Sequence, residues 1–203
     1  LGAEARTARW RRWSTCDLCE QKYHGVVRCA LGWACWKTYV GRPETDPVWR
    51  LAMGLLGTGL SNAKRHVDAL NVKEAELAML QRLGESQVSI LSAQNNLANT
   101  HVHLGRFQDA LRVRKEVYSG FLRISGEQSV ATLQAAGNYA DSLRRLQPGE
   151  AKTFMRRMIP AARRALGEGH TITIKMRGCY AEALYSNGNP SLDDLREAVT
   201  TLE

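Results

Sequence analysis

The chain has 203 residues, and its contents of 44% hydrophobic and 24% charged residues are ordinary for a soluble protein. No stretch approaches the roughly 18 apolar residues of a membrane helix, and no secretory signal stands at the start. The net charge of +8 is spread along the chain, with nine Lys/Arg against five Asp/Glu in residues 1–50 and nineteen against fifteen in residues 51–203. A nucleic-acid binder usually gathers its positive charge on one face, so nucleic acid is not an expected partner.

The first part of the chain is rich in cysteine and tryptophan. The pair Cys16-x2-Cys19 allows two thiolates to reach one Zn²⁺ ion from a tight turn. With His24 and Cys29 the spacing becomes Cys-x2-Cys-x4-His-x4-Cys, which is that of a zinc knuckle, a module that binds single-stranded nucleic acid. The glycines usual between the second cysteine and the histidine are replaced at positions 20–23. The predicted metal ligands are therefore Cys16, Cys19, His24 and Cys29.

The residues around the first two cysteines favour another zinc module. Residues 9–13 read Arg-Trp-Arg-Arg-Trp, and Cys16, Cys19 and Tyr23 follow. This segment resembles the end of a RING-CH (RING-variant) domain, where a Trp-containing helix leads into the last Cys-x2-Cys pair. The resemblance implies that the two cysteines close a two-zinc cross-brace in a ubiquitin ligase. This chain lacks the earlier ligands of such a domain, so ligase activity is expected only of a longer parent protein.

A third interpretation of the cysteines needs no metal. Cys29 and Cys35 lie in an apolar run, residues 26–40, that predicts one helix packed against the following part of the chain. We favour reduced, buried thiols for these two residues, whereas metal binding by Cys16 and Cys19 remains open. A disulfide is not expected, because no export signal places the chain in an oxidising compartment.

A turn-rich segment divides the chain. Residues 41–47 contain two prolines and one glycine, and the sequence after them is rich in Ala, Leu and Arg. We predict a Cys/Trp-rich segment at 1–47 and a second domain at 48–203. Because the chain begins at Leu1 rather than Met and stops at Glu203 within a helical pattern, we expect both ends to be cut from a longer protein.

The second domain is built from an internal repeat. The triplet at 96–98, Asn-Leu-Ala, recurs as Asn-Tyr-Ala at 138–140 and as Cys-Tyr-Ala at 179–181, in steps of 42 and 41 residues. A Gly-Glu pair recurs with the same two steps, starting at Gly84, Gly126 and Gly167. Two markers with one period are much harder to obtain by chance than one, so the domain is a repeat array.

Each repeat unit is predicted to form two helices. Apolar residues recur at helical spacing within each half, and glycines end the helices. The hydroxyls of Ser86, Ser129 and Thr171 stand where they can cap the first helices. Small residues recur at matching positions and let neighbouring helices approach, as in a solenoid. We therefore predict an all-α, right-handed helical-hairpin solenoid with four repeats, at about 48–87, 88–128, 129–170 and, truncated, 171–203.

These repeats resemble a known family. Residues 91–98, Leu-Ser-Ala-Gln-Asn-Asn-Leu-Ala, are followed at 104–111 by Leu-Gly-Arg-Phe-Gln-Asp-Ala-Leu, and a Gly-Glu pair precedes the next helix. The pattern and its period resemble the tetratricopeptide repeat (TPR) of kinesin light chain type. The resemblance implies a scaffold whose first helices line a concave groove for peptides or partner helices. It implies groove positions at Asn95, Asn96, Asn99, His103, Gln134, Asn138, Asp141, Arg145, Lys175 and Glu182.

The asparagines among these positions allow two interpretations. An Asn amide can donate to a peptide carbonyl and accept from a peptide N–H, so it can hold a main chain without selecting its sequence. Alternatively, Asn96 and Asn138 cap or bridge neighbouring helices. Both interpretations stand on the sequence alone.

No catalytic set accompanies the repeats. The sequence contains no Gly-x-Ser-x-Gly motif and no glycine-rich phosphate loop before a helix. His101 and His103 are two residues apart and do not share a helix face. We therefore expect a cytoplasmic protein that binds proteins or peptides, is not an enzyme, and takes no cofactor other than Zn²⁺ in its first segment.

Overall fold

The computed structural model describes residues 10–185 and 190–202, so Arg9 of the RING-CH-like motif lies outside the described residues. The helices in the described part are α1 Gly25–Tyr39, α2 Pro47–Asn62, α3 His66–Arg82, α4 Gln87–His103, α5 Phe107–Ser125, α6 Val130–Leu146, α7 Pro148–Leu166, α8 Thr171–Tyr185 and α9 Leu192–Leu202. Apart from one isolated antiparallel bridge between Thr15 and Lys22, the described residues contain no β structure. The predicted all-α class is confirmed.

The order of the helices along the chain confirms the predicted repeats. Along the chain, the eight helices α2 to α9 follow one another as four two-helix repeats require, and α2 begins at Pro47. The division into separate domains at 1–47 and 48–203 stays a prediction. In space the chain divides into two compact units, Leu1–Leu104 and Gly105–Glu203.

Helix α1 packs closely against α2 in the first unit. Glycines permit this approach, because a Cβ atom added to Gly32 would lie 3.0 Å from the carbonyl oxygen of Leu55. A Cβ atom added to Gly59 would lie 2.8 Å from the carbonyl oxygen of Arg28. Such distances are shorter than real Cβ contacts, so the two helix backbones meet only because both positions are glycine.

The core beside α1 contains two of the cysteines. Cys35 is fully buried and clusters with Tyr39 and Ala52, while Cys29 is 8% exposed and clusters with apolar residues of α2 and α3. Four tryptophans, Trp10, Trp13, Trp36 and Trp49, pack around this region. The predicted helix and the burial of Cys29 and Cys35 are therefore confirmed.

Two of the three predicted helix caps are present. The hydroxyls of Ser86 and Ser129 accept the backbone N–H three residues further on, at 3.2 Å and 3.1 Å. The prediction for Thr171 was wrong, because Thr171 is already the first residue of α8. The ring of His170 takes the capping place instead, and its Nδ1 accepts the N–H of Ile172 at 3.2 Å.

Candidate functional site

A cleft of about 430 Å³ lies between α2, α3 and α4 in the first unit. Leu51, Leu80 and Ala93 give it apolar walls, while Asn96 and Glu76 give it polar atoms. Asn96 is exposed and is thus one predicted groove residue that lines an open cleft.

The other predicted groove residues on α4 are Asn95, Asn99 and His103, and none of them lines this cleft. Asn95 and Asn99 are half-buried on the same helix. His103, at the end of α4, stacks its ring on that of His66, with centroids 4.8 Å apart and an interplanar angle of 8°. His103 is therefore held against the start of α3 rather than in the cleft.

A buried lysine links α3 to the next helix in the first unit. Lys73 is 7% exposed, and its ammonium donates to Ser61 Oγ at 2.9 Å and to Thr100 Oγ1 at 2.8 Å. It also donates to the carbonyl oxygen of Asn96 at 3.4 Å. Burial lowers the pKa of Lys73, since the charged form has lost water.

An arginine repeats this arrangement in the second unit. Arg114, 41 residues after Lys73, donates to the carbonyl oxygen of Asn138 at 2.9 Å and to Ser142 Oγ at 2.8 Å. Burial lowers the pKa of Arg114 as well. The backbones of Asn96 and Asn138 thus bridge helices. The sequence left this bridging role open for both asparagines but did not predict the burial of Lys73 and Arg114, although each follows an aligned alanine by four positions.

The side chain of Asn138 joins two other predicted groove residues. Its Oδ1 accepts from Lys175 Nζ on α8 at 3.0 Å and from Gln134 Nε2 on α6 at 3.4 Å. Asn138 is 6% exposed, whereas Gln134 and Lys175 are exposed. The structure therefore brings these three predicted residues together, with a buried amide beneath two exposed side chains.

A second polar set lies further along α6 and α8. The Asp141 carboxylate pairs with Arg114 and Arg144, each at 3.1 Å, and with Arg145 at 3.8 Å. Arg144 also pairs with Glu182 at 3.0 Å. Burial opposes ionisation of Asp141, but hydrogen bonds from Arg144 and Arg114 outweigh it and hold the pKa of Asp141 below its usual value. Asp141, Arg145 and Glu182 were predicted from the sequence, whereas Arg144 was missed.

The first cysteine pair lies in a tight turn. The backbone N–H groups of Cys19 and Leu18 donate to the Cys16 thiol and lower its pKa. The backbone N–H of Cys16 donates to the carbonyl of Gln21 at 2.9 Å, and Glu20 has a φ of 58°, in the left-handed region. Two cysteines in a tight turn are spaced so that both thiolates can reach one metal ion.

The four predicted metal ligands are not assembled into one site. Cys19 is exposed, His24 occupies the position before the first residue of α1, and Cys29 is buried beside Leu56 and Leu60. Within residues 10–185 and 190–202, no three His, Cys, Asp or Glu side chains are grouped to hold a metal ion. The described residues therefore fit half of a metal site at most, through Cys16 and Cys19.

Known proteins resemble this chain in part of its sequence and in fold. Residues 89–164 match the family described as tetratricopeptide repeat. The fold is similar to that of BtubC (BKLC) from P. vanneervenii, with 16% identity and a TM-score of 0.67 over 87% of this chain and 68% of that chain. It is also similar to two crystal structures of a Podosopora anserina protein described as a kinesin light chain with nearly identical TPR-like repeats. Each of these has 17% identity and a TM-score of 0.69 over 87% of this chain and 82% of that one. None of the curated proteins compared with the chain matches it.

At this level of identity the solved structures show the fold. The chain thus matches the tetratricopeptide repeat family over residues 89–164, and its described helices share the fold of the solved TPR-like structures named above. The family match does not reach residues 9–23, so the RING-CH resemblance rests on the sequence alone. None of the described helices has both the length and the apolar content needed to cross a bilayer.

Proposed function

We propose that this chain is a protein-interaction scaffold that binds peptides or partner helices along the first helices of its repeats, and that it acts by binding and not by catalysis. The observation that carries the proposal is the polar surface shared by α6 and α8. There the buried Asn138 and the half-buried Asp141 hold exposed partners in place, namely Gln134, Lys175 and Arg145. Side chains fixed in this way lose little further freedom when they bind a ligand.

The chemistry of this surface suits a peptide main chain. Lys175 and Arg145 offer donors, while the Gln134 amide offers both a donor and an acceptor. Asn95, Asn96, Asn99 and His103 on α4 supply similar groups in the first unit. The remaining predicted position, Glu182, pairs with Arg144 and limits how far that guanidinium can move.

Peptide selection on the full chain tests the proposal. Peptides from a random displayed library would be selected and their affinities measured by fluorescence anisotropy. We expect Arg145→Ala with Lys175→Ala to weaken binding by about a hundredfold or more, since hydrogen bonds to charged groups each contribute roughly 1.5–3 kcal/mol and two of them are lost. The control is Lys115→Ala with Arg164→Ala, which removes the same charge from exposed positions on α5 and α7. Equal losses in both variants, or no bound peptide, would contradict the scaffold hypothesis.

We propose a second, separate function for the first segment: Cys16 and Cys19 form half of a metal site. The turn that directs two N–H groups at the Cys16 sulfur supports this function. Other ligands would have to come from outside the described residues, as a RING-CH ubiquitin ligase in a longer parent protein would require. Binding of single-stranded nucleic acid through a complete zinc knuckle has less support, because His24 and Cys29 do not join the pair.

Metal titration of the full chain tests this second function. Zn²⁺ affinity would be measured by competition with a chromogenic chelator, and Co²⁺ would report thiolate ligation by its absorption. We expect both signals to disappear in the Cys16→Ser, Cys19→Ser variant and to persist in Cys179→Ser. Unchanged metal binding in the first variant would rule out the pair. We also propose a cytoplasmic location for the chain.

A further inference from the structure

Glu76 is the acidic residue that lines the cleft between α2, α3 and α4. The volume of about 430 Å³ falls in the range of ligand pockets, roughly 300–1,000 Å³. Leu51 on α2 is exposed and Leu80 on α3 is largely buried, and both supply apolar surface to the cleft. Ser92 and Asn96 on α4 complete the wall. The cleft therefore combines an apolar approach with one carboxylate.

Among the described residues no hydrogen bond or ion pair joins the carboxylate of Glu76 to another side chain, although the charge of Lys73 acts on it. Arg50, the cation that also lines the cleft, pairs with Glu85. Lys73 lies one turn before Glu76, and its ammonium donates hydrogen bonds to Ser61, Thr100 and the carbonyl of Asn96. Burial raises the pKa of Glu76, which marks a carboxylate poorly compensated by its surroundings.

A glycine keeps the space beside this carboxylate open. A Cβ atom added to Gly54 on α2 would lie 3.2 Å from Glu76 Oε1, closer than nearly all real Cβ contacts. Glycine inside a helix is less favourable than alanine by about 1 kcal/mol. The helix is thus weakened at the one place where a methyl group would press on the carboxylate.

We propose that the cleft around Glu76 receives a Lys or Arg side chain of the bound peptide. The aliphatic stem of that side chain lies along Leu51 and Leu80, and its charged end donates to Glu76. This inference rests on the proposed peptide-binding function and adds a preference to it: one basic residue in the bound segment. A basic ligand residue is favoured despite the positive net charge of the chain, because contact with the carboxylate decides recognition at this point.

The experiment is a double-mutant cycle on the full chain. Peptides are selected from a random displayed library, and the Lys or Arg common to the binders is identified. A binder with Arg is then compared with its citrulline form, which has the same shape and no charge, against the unmodified chain and Glu76→Gln. We expect citrulline to weaken binding about tenfold to the unmodified chain and to have little effect on the variant. Glu74→Gln, an exposed position on the same helix, is the matched control and should behave as the unmodified chain.

The outcomes separate this inference from the function on which it rests. The subsite would be overturned if the binders depend on Arg145 and Lys175 but carry no basic residue, or if Glu76→Gln does not change their affinity. The proposed scaffold function would still hold in both cases. Equal effects of the Glu76 and Glu74 substitutions would also overturn it. A library that yields no binder overturns both. Gly54→Ala gives an independent check, since its methyl group should weaken Arg-containing binders while the thermal stability is kept or raised.

Discussion

The ammonium of Lys73 lies 2.8 Å from the hydroxyl oxygen of Thr100, and both side chains are buried. The next repeat places Arg114 2.8 Å from the hydroxyl of Ser142. In the third repeat the equivalent positions hold Met155 and Ala183, both fully buried. In two repeats, therefore, a buried cation lies beside a hydroxyl. In the third repeat an apolar residue replaces the cation and an alanine replaces the hydroxyl-bearing residue.

This pairing predicts a coupling between the two positions. Thr100→Val removes the hydroxyl but keeps its volume, so the buried ammonium loses an acceptor and the free energy of unfolding should fall by about 1–3 kcal/mol. The same change in a Lys73→Met background should have a much smaller effect, because Met needs no acceptor. Urea unfolding of the four proteins measures the coupling. If the effects of Thr100→Val and Lys73→Met on the unfolding free energy simply add, the two side chains are not energetically coupled.

Asp141 should stabilise the protein most at neutral pH. Its pKa is lowered in the folded state by Arg144 and Arg114, so its contribution is present above its unfolded pKa and is lost as the pH falls through the folded value. We expect Asp141→Asn to lower the unfolding free energy at pH 7 by about 2 kcal/mol. The difference in unfolding free energy between Asp141→Asn and the unmodified chain should become smaller at acidic pH. The control Asp193→Asn breaks an exposed pair with Arg196 and should change little at any pH.

Glu76 should show the opposite pH dependence. Burial raises its folded pKa, and the charge of Lys73 lowers it by less. Such a group favours the folded state most below its unfolded pKa, and that advantage is lost as the pH rises through the folded pKa. Glu76→Gln should therefore unfold at a higher temperature than the unmodified chain at pH 7, and the gap should narrow towards pH 4. A variant that is more stable yet binds peptides less well would be typical of a functional site.

The thiols should react in an order set by exposure and pKa. Cys19 is exposed and the pKa of Cys16 is lowered, whereas burial raises the pKa of Cys35 to about 11. Iodoacetamide should modify Cys16 and Cys19 in the folded chain, and the three buried thiols only after unfolding. Peptide mass spectrometry measures the order. Early modification of Cys35 would show that α1 separates readily from α2.

The sequence predicted the helices better than the site. Periodic markers such as Gly126 and the cap at Ser129 act within one or two turns, so they can be recognised without the fold. Burial of Lys73 and Arg114 could not be predicted in this way, since a basic residue on a helix usually faces water. Glu76 was missed for the same reason, because its cleft exists only when α2, α3 and α4 come together.

The groove positions show where a family pattern stops being informative. Gln134, Asn138 and Lys175 do meet, because residues four apart on α6 share a face and α8 packs beside it. His103 instead stacks on His66, which the pattern of one repeat does not specify. The four predicted metal ligands are likewise spread over different elements. The spacing that joins Cys29 to Cys16 assumes an open loop, whereas residues 25–39 form a helix that buries Cys29.

The last helix should depend on one tyrosine hydroxyl. Tyr180 donates to Glu197 Oε1 at 2.5 Å and accepts from Arg156 Nε at 2.6 Å, so it joins α8 to both α9 and α7. Burial and the bond to Glu197 raise the pKa of Tyr180 to about 12, so the hydroxyl stays protonated at any ordinary pH. Tyr180→Phe should lower the local opening free energy of α9 by about 1–2 kcal/mol, because a buried bond is lost. Hydrogen exchange should accelerate in α9 and stay unchanged in α6. Tyr185→Phe, at an exposed position on the same helix, should have no such effect, and equal acceleration in both variants would show that the hydroxyl of Tyr180 does not hold α9 in place.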